Sequence, residues 1–310
     1  MLESTAALLL ARTARAQRDG RAPSLFPGVV RDGHLDWSAA RGEVVSPATA
    51  VQYRLGSISK TVCAVAVMRA RDEGLLDLDD HMEQHLPGTP FGRRTLGQLL
   101  SHLASAGAET NGPWWERTPG SSLEELRLTE ADRPHAAGRR FHYSNLGFGL
   151  GSCWRTCARP WSVVVRDEVL LPLGMTRTSP RPVPPAAQGF AVHPSGRPGP
   201  ARAGARRGVD GRRRAAVVDA AFLLGDTADV LAAATLEEMC DPAGGALDAA
   251  EWSAYGLGVM VHAFDGRVLV GRSWRLDTRL PRRSLVRPGR ADRRGVTVQL
   301  DQRRGSDAAR

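Results

Sequence analysis

Hydrophobic and polar positions change period several times along the chain, and each change marks an element. Leu2, Ala6, Leu9, Leu10, Thr13 and Ala16 recur at close to helical spacing, so a helix is predicted over Leu2–Arg18. Two short apolar stretches follow, Ser24–Val30 and Leu35–Ala39, separated by Arg31-Asp32-Gly33-His34. An Asp-Gly pair between two such runs predicts a β-hairpin. Over Ser57–Asp72 the period returns to helical, with Val62, Val65, Ala66, Arg69 and Ala70 in register, a serine at the start and Gly74 just beyond the end. Leu96–Ala104, Leu123–Leu128 and Trp161–Leu171 read as further helices, and Trp252–His262 and Gly266–Val270 as two strands joined by a turn at Ala263-Phe264-Asp265-Gly266. Strands at both ends with helices between them predict an α+β fold with a helical insertion. No apolar run approaches the roughly 20 residues that a bilayer core demands, so no membrane partner is expected.

Composition narrows this picture. With 42% hydrophobic and 24% charged residues over 310 positions, the chain is neither disordered nor collagen-like. Its net charge of +9 would ordinarily raise nucleic acid as a partner, but the charge is unevenly placed. Residues 266–310 hold 13 arginines against four aspartates, and residues 196–214 hold seven arginines against Asp210, so the remainder is net acidic. Neither stretch shows aromatic interleaving or a nucleic-acid-binding motif, and no nucleic acid is expected. Residues 193–214 and 272–310 also lack any hydrophobic period, which fits disordered loops or, in a GC-rich gene, translation out of the original reading frame. Four cysteines are too few for a disulfide framework and read as structural thiols. The start Met-Leu-Glu-Ser-Thr lacks the positive region of a secretory signal, so a cytoplasmic protein is expected.

The candidate chemistry begins with a count. Lys60 is the chain's sole lysine; the other 41 of its 42 basic residues are arginine. Arginine keeps its proton at working pH, whereas a desolvated lysine can release one, so a titratable amine explains the exception. Lys60 lies three residues after Ser57 at the start of the predicted helix, and that spacing puts both side chains on one face. The amine can then serve as general base for the serine hydroxyl, beside backbone N–H groups that stabilise developing negative charge. The competing reading makes Ser57 a helix cap and Lys60 a solvated surface residue. Tyr143-Ser144-Asn145, in a turn-like setting before an apolar run, favours the first reading. It can point Tyr143 and Asn145 into a cleft with Ser144 facing away, supplying a phenol for proton shuttling and an amide to orient lysine and substrate.

Gly56-Ser57-Ile58-Ser59-Lys60-Thr61 together with Tyr143-Ser144-Asn145 resembles the serine β-lactamase and penicillin-binding-protein family, in its class C-like branch of esterases, D-amino-acid peptidases and β-lactamase-related hydrolases. Further phrases fit: Glu73 to Asp80, Leu99-Leu100-Ser101-His102, Pro172 to Thr178, and Tyr255-Gly256-Leu257-Gly258 opening a late strand. The resemblance implies a β-lactamase-like α+β domain spanning 1–310, an antiparallel sheet flanked by helices, with an all-helical lobe over roughly 75–190 and an end that is incomplete at the C-terminus. It implies Ser57 as nucleophile, Lys60 as general base, Tyr143 as proton relay, the Ser57 N–H as half of an oxyanion hole, and Asn145 as a substrate-binding residue. Ester or amide cleavage through an acyl-serine follows, on a β-lactam, D-amino peptide or short ester, with no cofactor and no metal. The third family element departs from the pattern. Its best candidate is Arg272-Ser273-Trp274, where Arg272 and Ser273 would bind substrate but Trp274 stands in place of a glycine that lets substrate approach the strand. A catalytically inactive relative is therefore the alternative. His81 and His85, four apart without a third ligand, read as solvated, and His102 as a structural helix residue.

Overall fold

The computed structural model of the chain describes residues 2–19, 24–31, 34–42, 52–109, 122–128, 136–138, 140–151, 159–179, 183–186, 190–192, 198–200, 210–212, 227–244, 254–264, 267–271 and 296–301. Helix α1 (Glu3–Asp19) is followed by strands β1 (Ser24–Arg31), β2 (His34–Ser38) and β3 (Arg41–Gly42). β1 and β2 pair antiparallel, as the two apolar runs and the Asp-Gly between them predict. The register shifts between Val29 and Val30, which face Trp37 and Leu35, so Asp36 bulges. β3 continues the same edge of β1, Leu25 facing Arg41.

The other edge of β1 is taken by β10 (Val296–Asp301), antiparallel, with Leu25 opposite Asp301 and Val30 opposite Val296. This strand lies inside the arginine-rich stretch 272–310, where the sequence predicts no regular element. In the sequence Val296, Val298 and Leu300 alternate with Thr297, Gln299 and Asp301, the period of two that a strand shows. Within 193–214 two short strands are likewise described. β5 (Phe190–Val192) pairs with β6 (Pro198–Pro200), and β4 (Gln52–Arg54) pairs with β7 (Asp210–Arg212). The other residues of these two stretches lie outside the described ones.

Between β4 and β5 every described regular element is helical: α2 (Ile58–Asp72), α3 (Met82–His85), α4 (Leu96–Leu100), α5 (Leu123–Arg127), α6 (Asn145–Gly151) and α7 (Trp161–Val165), the last continuing as a π-helical turn over Arg166–Leu170. α8 (Ala233–Met239) and the antiparallel pair β8 (Met260–Phe264) and β9 (Arg267–Gly271) complete the order. α2 is buried on nearly every side, from Lys60 through Ala70, and forms the centre of the core with Leu99, Leu100, Leu146, Leu150, Val169, Met239 and Val259. A helix apolar all round belongs in such a place.

Two boundaries differ from expectation because contacts distant in sequence fix them. α4 stops at Leu100 rather than Ala104 because His102 adopts a left-handed backbone (φ 60°), with the Leu103 N–H bonding to Gln98 C=O at 2.8 Å. That is a Schellman ending with histidine where glycine is usual. β8 begins at Met260, and before it 254–259 form a turn in which Gly256 N–H bonds to Val259 C=O at 2.9 Å, with Trp252 outside the described residues. Tyr255 makes antiparallel bridges to Gly244 and to Met260, the first residue of β8, and Gly256-Leu257-Gly258 form the turn between Tyr255 and Met260. This turn binds three helices: Leu257 N–H to Met239 C=O (2.9 Å), Gly258 N–H to Leu100 C=O (3.1 Å), and Thr61 Oγ1 to Gly258 C=O (2.9 Å). Among the described residues no helix is long and apolar enough to cross a membrane.

Candidate active site

The turn before α2 sets the site. Gly56 takes φ 54°, open to glycine without strain, and the N–H groups of Ile58, Ser59 and Lys60 each bond three residues back, to Leu55, Gly56 and Ser57. Ser57 precedes the helix with helical angles (φ −69°, ψ −9°), and its hydroxyl makes no capping hydrogen bond. Lys60 is only 8% exposed. The capped-serine, solvated-lysine reading therefore does not describe this pair.

Lys60 Nζ lies 3.3 Å from Ser57 Oγ and donates at 2.5 Å to Asn145 Oδ1. Tyr143 OH donates to Ser57 Oγ at 2.8 Å. The amine also sits 4.9 Å from the Tyr143 ring centroid and 5.8 Å from that of Phe148, within reach of cation–π attraction. Burial favours its neutral form, while the Asn145 carbonyl and the two ring faces favour the ammonium. Ser57, Lys60, Tyr143 and Asn145, named from sequence, are thus brought together. Arg272 and Ser273 follow β9 directly and lie outside the described residues.

Two segments hold Tyr143 and Asn145 in place, and they are laced to each other. His142 N–H bonds to His102 C=O (2.9 Å), Ser144 N–H to His102 Nδ1 (3.0 Å), Ser144 Oγ to Gly107 C=O (2.6 Å) and Asn145 N–H to Ala108 C=O (2.8 Å). Ser144 faces away from Ser57, accepting also from Gly147 N–H at 2.7 Å. Because His102 Nδ1 accepts, this fully buried imidazole is the neutral tautomer with its proton on Nε2. Its ring lies 4.3 Å, centroid to centroid, from Tyr143 and 4.4 Å from Tyr255. His102 is structural, as expected, but acts from a turn beyond the helix.

Sequence reasoning missed Glu109. Its Oε1 accepts from Asn145 Nδ2 at 2.5 Å, completing a line from carboxylate through amide to amine to hydroxyl. Ser-Ala-Gly-Ala-Glu-Thr has no period or motif that marks the acid, and only the lacing above brings it to the site. His85 Nε2 pairs with Asp80 Oδ2 at 3.1 Å and His81 Nδ1 meets Arg93 C=O at 3.2 Å, so the two histidines point to different partners.

The α+β fold, with a buried hydroxyl, amine and phenol meeting at the N-terminal end of α2, places the chain in the class of β-lactamase-like folds. Within that class, a sequence model of the beta-lactamase family matches residues 10–286, and the chain belongs to that family. The D-alanyl-D-alanine-carboxypeptidase/endopeptidase AmpH of Escherichia coli (strain K12) is 26% identical over 176 residues, covering 50% of this chain and 45% of that protein. The aligned region is thus under half the length of that curated relative. Among solved structures, the octameric penicillin-binding protein homologue from Pyrococcus abyssi superposes with a TM-score of 0.72 at 21% identity, over 85% of this chain and 67% of that one. The D-amino acid amidase from Ochrobactrum anthropi SV3, complexed with D-phenylalanine, superposes with a TM-score of 0.70 at 18% identity, over 96% and 90%. At these identities the superpositions establish the fold.

Proposed function

We propose that this chain hydrolyses an ester or amide through an acyl-Ser57 intermediate. The observation that carries the reading is the buried contact of Lys60 Nζ with Ser57 Oγ at 3.3 Å, beside a Tyr143 hydroxyl at 2.8 Å. In the resting arrangement amine and phenol both donate to Ser57 Oγ, so attack requires one of them to have lost a proton. Lys60 in its amine form takes the Ser57 proton as the Oγ–C bond forms. Tyr143 relays that proton to the departing nitrogen or oxygen as the C–N or C–O bond breaks; in deacylation it passes its own proton to Lys60 while taking one from the attacking water, and Lys60 returns a proton to Ser57 Oγ as the acyl C–O bond breaks. The Ser57 N–H, at the N-terminal end of α2, contributes to stabilising the oxyanion, and Asn145 orients lysine and substrate. Arg272 and Ser273 are proposed to bind the substrate's far side.

The curated relative is named for carboxypeptidase and endopeptidase action on D-alanyl-D-alanine, and one structural neighbour for a D-amino acid amide. A D-configured peptide or amide, or a short ester, is the proposed substrate, ahead of a β-lactam. A cytoplasmic location is proposed, in keeping with four cysteines that are too few for a disulfide framework.

The test is intact mass after exposure to a fluorophosphonate or a penicillin. One adduct on the wild type, lost in Ser57→Ala and Lys60→Arg variants that still unfold cooperatively, is the expected result. A folded wild type that takes no adduct would instead support the second reading, a catalytically inactive relative, which the Trp274 departure favours.

A further inference from the structure

The Asn145 amide has two chemically different ends, and its neighbours on the two sides demand opposite ones. A carboxylate can only accept, so Glu109 Oε1 needs the Nδ2 end, which it holds at 2.5 Å. The Lys60 ammonium can only donate, so it needs Oδ1, also at 2.5 Å. One orientation satisfies both. The difficulty arises when Lys60 becomes an amine, because a neutral amine carries a lone pair and can accept as well as donate. Asn145 could then turn over and donate Nδ2–H into that lone pair, which must instead receive the Ser57 proton.

We propose that Glu109 is a positioning residue that locks the Asn145 amide, holding Nδ2 away from Lys60 so that the lone pair of the neutral amine stays directed at Ser57 Oγ. The inference rests on the acyl-serine reading above. The loop carrying Glu109 is built to hold it. His102 (φ 60°) and Ser105 (φ 54°) keep left-handed backbones in residues other than glycine, and Gly107 and Ala108 are tied to Ser144 and Asn145 at 2.6 and 2.8 Å. Strained backbone of this kind persists where the surroundings over-determine it. Carboxylate and amide are therefore set by two segments bonded to each other, rather than by one flexible side chain meeting another.

The lock makes two separable demands on Glu109: an acceptor at Oε1 and a negative charge one amide away from Lys60. Glu109→Gln removes the charge and replaces an acceptor-only group by an amide that can present either end to Asn145. Glu109→Ala removes acceptor and charge. The reporter is the pH dependence of the second-order rate of fluorophosphonate labelling, which needs no knowledge of the substrate and reports the free enzyme's base. Three results are expected. Glu109→Ala lowers the high-pH plateau by on the order of ten- to a hundredfold, the scale of a misplaced catalytic group. Glu109→Gln lowers that plateau less, by about three- to tenfold, because its amide can accept from Asn145 but can also turn and donate to it. Its acid limb also moves to lower pH, because a nearby carboxylate favours the ammonium and its loss favours the amine.

A Glu109→Gln plateau equal to the wild type's, or a Glu109→Gln acid limb that coincides with the wild type's, overturns the proposal. So does a wild-type rate in Glu109→Ala. Thermal unfolding of each variant accompanies the rates; if Glu109→Ala does not fold, the plateau and acid limb of Glu109→Gln decide alone. Failure of the underlying reading looks different, since the folded wild type would then take no label, or labelling would survive in Ser57→Ala.

Discussion

Two glycines with the same backbone demand and opposite surroundings test whether the 254–259 turn seats the nucleophile helix. Gly74 and Gly258 hold φ at 70° and 83°, a region in which an L-residue is strained. A methyl added at Gly74, which ends α2 in a Schellman motif, would meet nothing within 4 Å, whereas at Gly258 it would run into Ala64 Cβ and lie 3.5 Å from Lys60 C=O. Both alanine variants bear a backbone penalty of about 1–2 kcal/mol. Gly258→Ala bears a further overlap of about 1–3 kcal/mol, because α2 or the turn must move. At roughly 2 °C per kcal/mol for a chain of this size, Gly74→Ala melts about 2–4 °C lower and Gly258→Ala about 4–10 °C lower. The displacement falls on the helix that carries Ser57 and Lys60, so Gly258→Ala also slows fluorophosphonate labelling, and Gly74→Ala leaves it unchanged. Circular dichroism melts and labelling rates on the same preparations give both numbers. Equal melting losses in the two variants would refute the packing of Gly258 on Ala64.

Two further outcomes follow from buried and exposed polar contacts. Ser144→Ala orphans Gly107 C=O and Gly147 N–H, which the hydroxyl bridges at 2.6 and 2.7 Å. It should lower stability by about 1–3 kcal/mol in urea unfolding, and an unmoved midpoint would show that the lacing of 102–109 to 142–147 holds without it. Asp167 sits below its ordinary pKa of 3.8 because Arg166 donates to it, with Arg159 adding to the effect. A carboxyl with a depressed folded pKa contributes stability that is present above about pH 3.8 and lost as pH falls through the folded value. Asp167→Asn should therefore melt slightly below wild type at pH 7, less so in high salt, and coincide with it once pH falls below that value; a gap that widens in acid would reverse the sign.

The elements that sequence reasoning placed well are those whose boundaries are written in local chemistry. α2 is bracketed by Gly56 and Gly74, both at positive φ, and the β1–β2 hairpin is marked in the sequence by Asp32-Gly33. The misplaced ends are those where a tertiary contact decides. His102 closes α4 in a conformation that glycine usually takes, stabilised by bonds from His142 and Ser144 some forty residues on, so no local signal announces the stop. Tyr255 to Gly258 reads as strand by composition, yet three helices bind the backbone of Leu257 and Gly258 and hold 256–258 as a turn. β10 is the opposite case. Val296, Val298 and Leu300 alternate as a strand should, and the surrounding arginines obscure the period.

The site divides along the same line. Ser57 and Lys60 are legible because one helix turn carries both, and a lone lysine among 42 basic residues stands out by count alone. Tyr143 and Asn145 are legible as a triplet, although their distance from Lys60 is set by the loop 102–109, which has no pattern of its own. Glu109 belongs wholly to that loop. Its consequence for Lys60 passes through an amide 36 residues further along the chain, and whether that amide presents oxygen or nitrogen is a property of the pair, not of either residue. A motif records which groups meet the substrate. The orientation of those groups is enforced by partners that need only an acceptor in the right place, and many sequences can supply one.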